Sequence, residues 1–165
     1  MLKKTVTLLI ILAIFISYVL LQNYQPQNKQ SIVVAMVEKD NKILITLHIA
    51  KNNPTVKWAF PMGKVETGET LASCLKRQLQ EELGILAQIG SYVGTTSFGS
   101  EHQEYELHAF RVTEFSGQII LNDANAKLVW ITPNELLLYD MLEIQKPFVK
   151  LLQENSFSVN PIKSS

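Results

Sequence analysis

The stretch from Gly63 to Ile85, "GKVETGETLASCLKRQLQEELGI", constrains the fold more than any other part of this 165-residue chain. Thr70 can cap the start of a helix, and Gly84 can end it. Between them, apolar residues recur at the spacing of one helix face, namely Leu71, Cys74, Leu75, Leu79 and Leu83. The pattern predicts an amphipathic helix that packs against a domain core.

Two glutamates lie on an unusual side of this helix. At 100° per residue, Gln78, Glu81 and Glu82 fall within an arc of about 100° that overlaps the leucine stripe. Burying charge is costly unless something compensates it, and a divalent cation with hard oxygen ligands would do so. Such a cation can also hold phosphate oxygens. Spacing alone leaves an equal alternative, a helix end with two partly exposed glutamates.

The overall composition limits the classes of partner. Fifteen basic and fifteen acidic residues cancel, so no net field attracts nucleic acid, and we expect no nucleic-acid partner. A phosphate-bearing substrate must therefore be held by local groups or by a metal. The single cysteine, Cys74, excludes an internal disulfide. Its apolar helical neighbours indicate a buried structural thiol.

The N-terminus carries a different signal. Lys3 and Lys4 precede an uncharged run, Thr5 to Leu21, which as a helix would span roughly 25 Å, at the short end of what crosses a bilayer. We expect a single-pass membrane anchor over residues 1–22, with a cleaved signal peptide as the alternative. The two lysines outweigh Lys29 on the far flank, so the positive-inside rule favours an extracytoplasmic domain.

The remaining chain is predicted to form one domain. Residues 23–30 are polar with one proline and predict a linker, followed by a domain over 31–155 and a tail over 156–165. "SIVVAMVEKDNKILITLHI" predicts a β-hairpin. Strand and helix patterns mix without strict alternation, which favours an α+β fold with a mixed sheet over a doubly wound one.

The helical stretch resembles the Nudix box, G-x5-E-x7-R-E-U-x-E-E-x-G-U, where U is a bulky aliphatic residue. The matching residues are Gly63, Glu69, Arg77, Leu79, Glu81, Glu82, Gly84 and Ile85. "FPMGK" and "VWITPNEL" also resemble the MutT-like branch, so the resemblance covers roughly Ser31 to Glu154. It implies a Nudix α/β/α sandwich that hydrolyses a nucleoside diphosphate linked to another group, with Mg²⁺ or Mn²⁺ as cofactor.

The resemblance also implies roles for single residues. The Gly63 backbone and the side chains of Glu81 and Glu82 would bind the metal, and Glu69 and Arg77 would pair to hold the loop against the helix. A metal there would neutralise the diphosphate and lower the pKa of a bound water that attacks phosphorus.

Gln78 departs from the family pattern, which has a metal-binding or basic glutamate there. An amide keeps the shape but cannot accept a proton as a base. We expect a nearby acid, Glu104 first, to act instead; the other candidates are Glu101, His102 and Asp123. The alternative functions are a weakened Nudix-fold module that binds or senses nucleotides and, far behind, an interaction domain with no nucleotide role.

Substrate contacts are predicted by position alone. Relatives of the MutT-like branch have a basic residue near the phosphates where this chain has His48, and an amide that reads a purine edge where it has Gln145. The sequence indicates a nucleotide diphosphate-type small molecule as the substrate. It specifies neither the nucleotide nor the oligomeric state.

Overall fold

The computed structural model describes residues 13–19, 28–49, 56–99, 103–122 and 126–157. The described helices are α1 (13–19), α2 (Leu71–Leu83) and α3 (Lys146–Phe157), with 3₁₀ turns at Pro133–Leu138 and Glu143–Gln145. The described strands are β1 (Asn28–Lys39), β2 (Lys42–Ile49), β3 (Val56–Ala59), β4 (Met62–Lys64), β5 (Leu86–Gln88), β6 (Tyr92–Gly99), β7 (Gln103–Val112), β8 (Glu114–Ser116) and β9 (Leu128–Ile131).

The main sheet is mixed, as the sequence predicts. Its central order is β3-β2-β1-β7-β6, with β4 paired to β1 and β9 paired to β2. Strands β1 and β7 run parallel, whereas the other pairs are antiparallel. The β1–β2 hairpin turns through Asp40 and Asn41, which have φ values of 51° and 59°. Two consecutive positive φ angles are the geometry of a type I′ hairpin turn.

Strand β1 separates two apolar cores. Successive side chains of a strand point to opposite faces. Val33, Ala35 and Val37 pack against α2, whereas Val34 and Met36 pack against α3. The sheet is therefore covered by α2 on one face and α3 on the other, which confirms the predicted α+β fold of the domain.

Helix α2 begins and ends at the predicted positions. The Thr70 hydroxyl accepts a hydrogen bond from the Ser73 N–H at 3.1 Å, which caps the first turn. Gly84 ends the helix in the left-handed conformation, with φ of 69°, where glycine carries no steric cost. Cys74, Leu75, Leu79 and Leu83 form the buried face.

Strand β1 begins at Asn28, upstream of the residue where the sequence pattern starts the domain. Residues Asn28 to Gln30 are polar, so their composition is typical of a linker. Parallel pairing with Gln103 to Tyr105 of β7 gives their backbone groups partners. This pairing is set by the fold rather than by local sequence.

The predicted membrane localisation was wrong. No helix of the described residues is long and apolar enough to cross a membrane. Residues 13–19 of the predicted segment are helical (α1). The rest of the predicted 1–22 segment lies outside the described residues. The inference of an extracytoplasmic domain depended on this anchor and is withdrawn with it.

Candidate active site

Gly63 and Gln78 come together where α2 crosses β4. Gly63 is buried opposite Val33 of β1. The Gln78 side chain lies directly over it: a Cβ atom on Gly63 would stand 2.7 Å from the Cγ and Cδ atoms of Gln78. Because that distance is below van der Waals contact, any side chain at position 63 would displace the Gln78 side chain. The Gly63 carbonyl oxygen lies 3.9 Å from Cys74 Sγ.

Glu82 follows Gln78 by one helical turn and is half-buried. Burial raises the pKa of its carboxyl group to about 7; a hydrogen bond from the Gln78 side chain opposes this rise, and the charge of Glu81 adds to it. Glu81 is exposed. The helix thus carries a carboxylate whose negative charge is poorly compensated within the protein, a property suited to a cation-binding group.

A different arrangement holds the start of the same stretch. Arg77 donates from Nε to Glu69 Oε1 and from Nη2 to Glu69 Oε2, both at 2.9 Å. These bonds lower the pKa of Glu69 to about 2, against a smaller opposing effect of burial. Arg77 also reaches the Lys64 carbonyl at 3.3 Å and Glu81 Oε2 at 3.2 Å. The guanidinium therefore links the loop between β4 and α2 to the helix, and it also contacts Glu81.

The C-terminal end of α2 is held by a distant loop. The Asn122 side-chain amide donates to the Glu81 carbonyl, and its backbone N–H donates to the Glu82 carbonyl at 3.4 Å. Ile120 N–H donates to the Leu83 carbonyl at 3.0 Å. These bonds satisfy carbonyls that a helix end leaves free. Nothing in the local sequence around Asn122 indicates this contact, because its partner is distant in the chain.

Glu104 lies on β7, where the strand ladders place it beside Lys29 of β1 and Gly99 of β6. Phe110 of β7 packs in the core beside α2. Since alternate residues of a strand share a face, Glu104 lies on the sheet face that α2 covers. The structure thus puts this candidate base on the same side of the sheet as Gln78 and Glu82.

Gln145 is fully buried. Its Oε1 accepts from the Phe60 N–H at 2.7 Å, and its Nε2 donates to the Phe60 carbonyl at 3.2 Å and lies 3.3 Å from Met62 Sδ. In this conformation, both ends of the amide bind the segment that leads into β4. The amide that sequence position assigns to a purine edge therefore faces the protein.

No group of three or more His, Cys, Asp or Glu side chains converges as a metal site within the described residues. The remaining predicted site groups lie outside the described part of the chain: the His48 side chain, Glu101, His102 and Asp123. Of the predicted acidic metal ligands, Glu81 and Glu82 both lie in the described part of the chain, as neighbours on α2.

Comparison with known proteins identifies the family. Residues 27–152 match the model of the NUDIX domain. A curated relative, the CTP pyrophosphohydrolase of Escherichia coli (strain K12), is 35% identical over 119 residues, which cover 72% of this chain and 87% of that protein.

Similar solved structures support the same family. The solution structure of the E. coli ORF135 protein superposes with a TM-score of 0.74 at 30% identity, covering 82% of this chain and 96% of that one. A MutT structure from work on Aliivibrio salmonicida and Vibrio cholerae gives 0.67 at 26% identity, covering 78% and 99%. The chain belongs to the NUDIX family, in its MutT-like branch, and is a Nudix hydrolase, an enzyme that acts on phosphorus anhydride bonds.

Proposed function

We propose that this protein is a metal-dependent nucleotide pyrophosphohydrolase that cleaves a nucleoside diphosphate linked to another group. The observation that carries the proposal is the half-buried Glu82 carboxylate beside Glu81, on the helix that bears the Nudix box. The name of the 35% identical relative, a CTP pyrophosphohydrolase, supports a nucleotide as the substrate class.

The metal would be Mg²⁺ or Mn²⁺, held by Glu81, Glu82 and the backbone of Gly63. The fit rests on Glu82, whose burial leaves a negative charge in need of a cation. When bound, such an ion neutralises phosphate oxygens and lowers the pKa of a water molecule. The catalytic unit is proposed to be the predicted domain over residues 31–155, together with Asn28 to Gln30 at the start of β1 and without the tail over 156–165.

Residues of the chain itself would orient these groups. The bidentate bond from Arg77 to Glu69 holds the loop against α2, and Arg77 also contacts Glu81. We assign Glu104 as the candidate proton acceptor, because the amide of Gln78 cannot accept a proton. Its place on the α2 face of the sheet supports this assignment.

The proposed substrate contacts are His48, near the phosphates, and Gln145, near the base. Gln145 can contact the base only if its amide first releases its hydrogen bonds to the Phe60 backbone. A change in the Gln145 amide signals on nucleotide binding, followed by NMR, would support this contact. Unchanged signals in the saturated complex would exclude it.

A second function is favoured by Gln78. Without a carboxylate at this position, the protein could bind or sense nucleotides with little turnover. The test is release of phosphate or pyrophosphate from a panel of nucleotides with Mg²⁺ or Mn²⁺. Release that stops in EDTA and in Glu82→Gln supports the hydrolase. Nucleotide binding without release from any member of the panel supports the sensing module.

A further inference from the structure

The central part of the main sheet ends in two edge strands, β3 and β6. A loop segment runs along the outer side of β3. The Trp58 N–H donates to the Asp140 carbonyl, and the Leu142 N–H donates to the Trp58 carbonyl, both at 2.9 Å. Lys57 also forms an ion pair with the Asp140 carboxylate at 2.5 Å. At Trp58 the β3 edge is therefore covered by the chain, and a charged side chain stands beside it.

Strand β6 lacks both features in the described part of the chain. Among the described strands it pairs with β7 alone. Its sequence, YVGTTSFG, contains no charged residue and no proline. A register shift lies between Tyr92 and Gly94 at its start, whereas Thr95 to Gly99 pair regularly with β7. In an antiparallel pair every second residue turns its N–H and C=O away from the partner, so this regular run presents donors and acceptors at the edge of the sheet.

An uncharged edge of this kind is a place where another strand can add. Proteins usually block such edges with lysine, proline, a bulge or a covering segment. The register shift in β6 disrupts only the first residues of the strand. Thr95, Ser97 and Gly99 are exposed, so the regular run is accessible from solvent in the described structure.

The sequence of β6 indicates which strand fits this edge. A charged peptide would meet no opposite charge on β6, whereas two copies of an uncharged strand pair without like charges facing each other. Tyr92, at one end, is 53% exposed, and Gly99, at the other end, has no side chain. Antiparallel pairing brings the start of one copy to the end of the other. The Tyr92 ring would then pack toward Gly99 of the partner subunit, and an aromatic ring across from an edge glycine is a favourable pair.

We propose that β6 is a homodimerisation strand, which pairs antiparallel with β6 of a second copy of this chain and joins the two main sheets into one. The proposal goes beyond the proposed function, because the pairing needs neither metal nor nucleotide. One pair of edge strands buries less surface than the roughly 1,200–2,000 Å² of a stable interface. The dimer should therefore be weak and should dissociate on dilution.

The matched variants are Ser97→Lys and Ser116→Lys. Both replace an exposed serine of a strand with lysine, but Ser116 belongs to β8 of the separate two-stranded sheet. Sedimentation velocity of the full chain over a dilution series should show a monomer–dimer equilibrium for wild type and Ser116→Lys. Ser97→Lys should raise the dissociation constant about tenfold or more, because each copy brings a lysine to the shared edge.

The other sedimentation results would overturn the proposal. A wild type that stays monomeric at every concentration would do so. A dimer that Ser97→Lys leaves intact would assign the contact to another surface. Equal weakening by Ser97→Lys and Ser116→Lys would show an effect of added charge that is not specific to β6.

Amide hydrogen exchange gives a second test that a dimer formed through another surface would not pass. Amides of Thr95 to Gly99 that do not bond to β7 should exchange more slowly as the wild-type concentration rises, in proportion to the fraction of dimer. Slow exchange at all concentrations would show that another segment of the same chain covers the edge, and fast exchange in the dimer would leave β6 outside the interface. Both results would overturn the proposal. If Ser97→Lys does not fold, this wild-type measurement decides the question alone.

Discussion

The two ends of the Nudix-box stretch use carboxylates in opposite ways. Near its start, Glu69 receives two hydrogen bonds from Arg77, which lower its pKa to about 2. Near its end, Glu82 is half-buried beside Glu81, and burial raises its pKa to about 7. A carboxylate that the protein compensates serves the fold, whereas one that it leaves poorly compensated is available to a ligand.

Glu82→Gln should have the largest effect on activity. The substitution preserves shape but removes the charge that the proposed metal site needs, so we expect metal-dependent hydrolysis to fall roughly 10²–10⁴-fold. Initial rates with Mg²⁺ and Mn²⁺ give the measurement, and Gln80→Glu serves as an unrelated helix variant. Retained activity in Glu82→Gln would show that Glu82 is no more available to a metal than the structural carboxylate of Glu69.

Gln78→Glu should raise turnover when metal is saturating. It adds a negative ligand and a possible base beside Glu82, and general-base catalysis is worth about 10²–10⁴-fold. Rates of wild type and variant on one substrate give the comparison. An unchanged rate, together with a loss in Glu104→Gln, would show that Glu104, the proposed proton acceptor, supplies all of the base catalysis and that a carboxylate at position 78 adds none.

Arg77→Ala should act on stability. It leaves Glu69 without its bidentate partner and removes the bond from Arg77 to the Lys64 carbonyl. Thermal unfolding should therefore begin several degrees lower, and any loss of activity should result from disorder of the loop. Arg77→Lys is the control, because lysine keeps the charge but not the fork of donors. A variant that melts like wild type but has lost activity would place Arg77 in the chemistry instead.

In EDTA, the carboxylates of Glu69 and Glu82 should make the stability of the protein depend on pH in opposite directions. The pKa of Glu69 is lowered from 4.5 to about 2 by folding, so its contribution to stability is present above about 4.5 and is lost as pH falls toward 2. The pKa of Glu82 is raised from 4.5 to about 7, so stability falls as pH rises between these values.

Chemical unfolding of wild type and Glu82→Gln over pH 4.5–8 isolates the second effect. The free energy of unfolding of Glu82→Gln should increase relative to that of wild type as pH rises, and the difference should become constant above about 7. The reason is that the variant has no carboxylate charge to desolvate at position 82. This is the smallest of the expected effects. A constant difference between the two proteins across this range would contradict the assignment of a poorly compensated Glu82.

Local signals explain what the sequence predicts well. Thr70, Gly84 and the leucine spacing define α2, and Asp40-Asn41 defines the hairpin, because caps and turns depend on residues near in sequence. The helical spacing of 100° per residue also places Glu82 on the core side of α2. These features need no knowledge of the distant chain.

Long-range contacts explain what the sequence does not predict. Asn122 holds the end of α2, and Gln145 binds the Phe60 backbone, each through partners distant in the chain. Neither contact follows from composition or periodicity. The apolar N-terminal run is the opposite case, since a strong local pattern predicted a membrane helix that the described residues do not contain.

Mn²⁺ binding, followed by water-proton relaxation, tests most directly whether the end of α2 is the metal site. Wild type, Glu82→Gln and Glu69→Gln would be titrated under the same conditions. We expect Glu82→Gln to lose binding and folded Glu69→Gln to retain it, because the protein compensates the charge of Glu69 through Arg77 but leaves that of Glu82 poorly compensated. Wild-type Mn²⁺ affinity in Glu82→Gln would contradict the account.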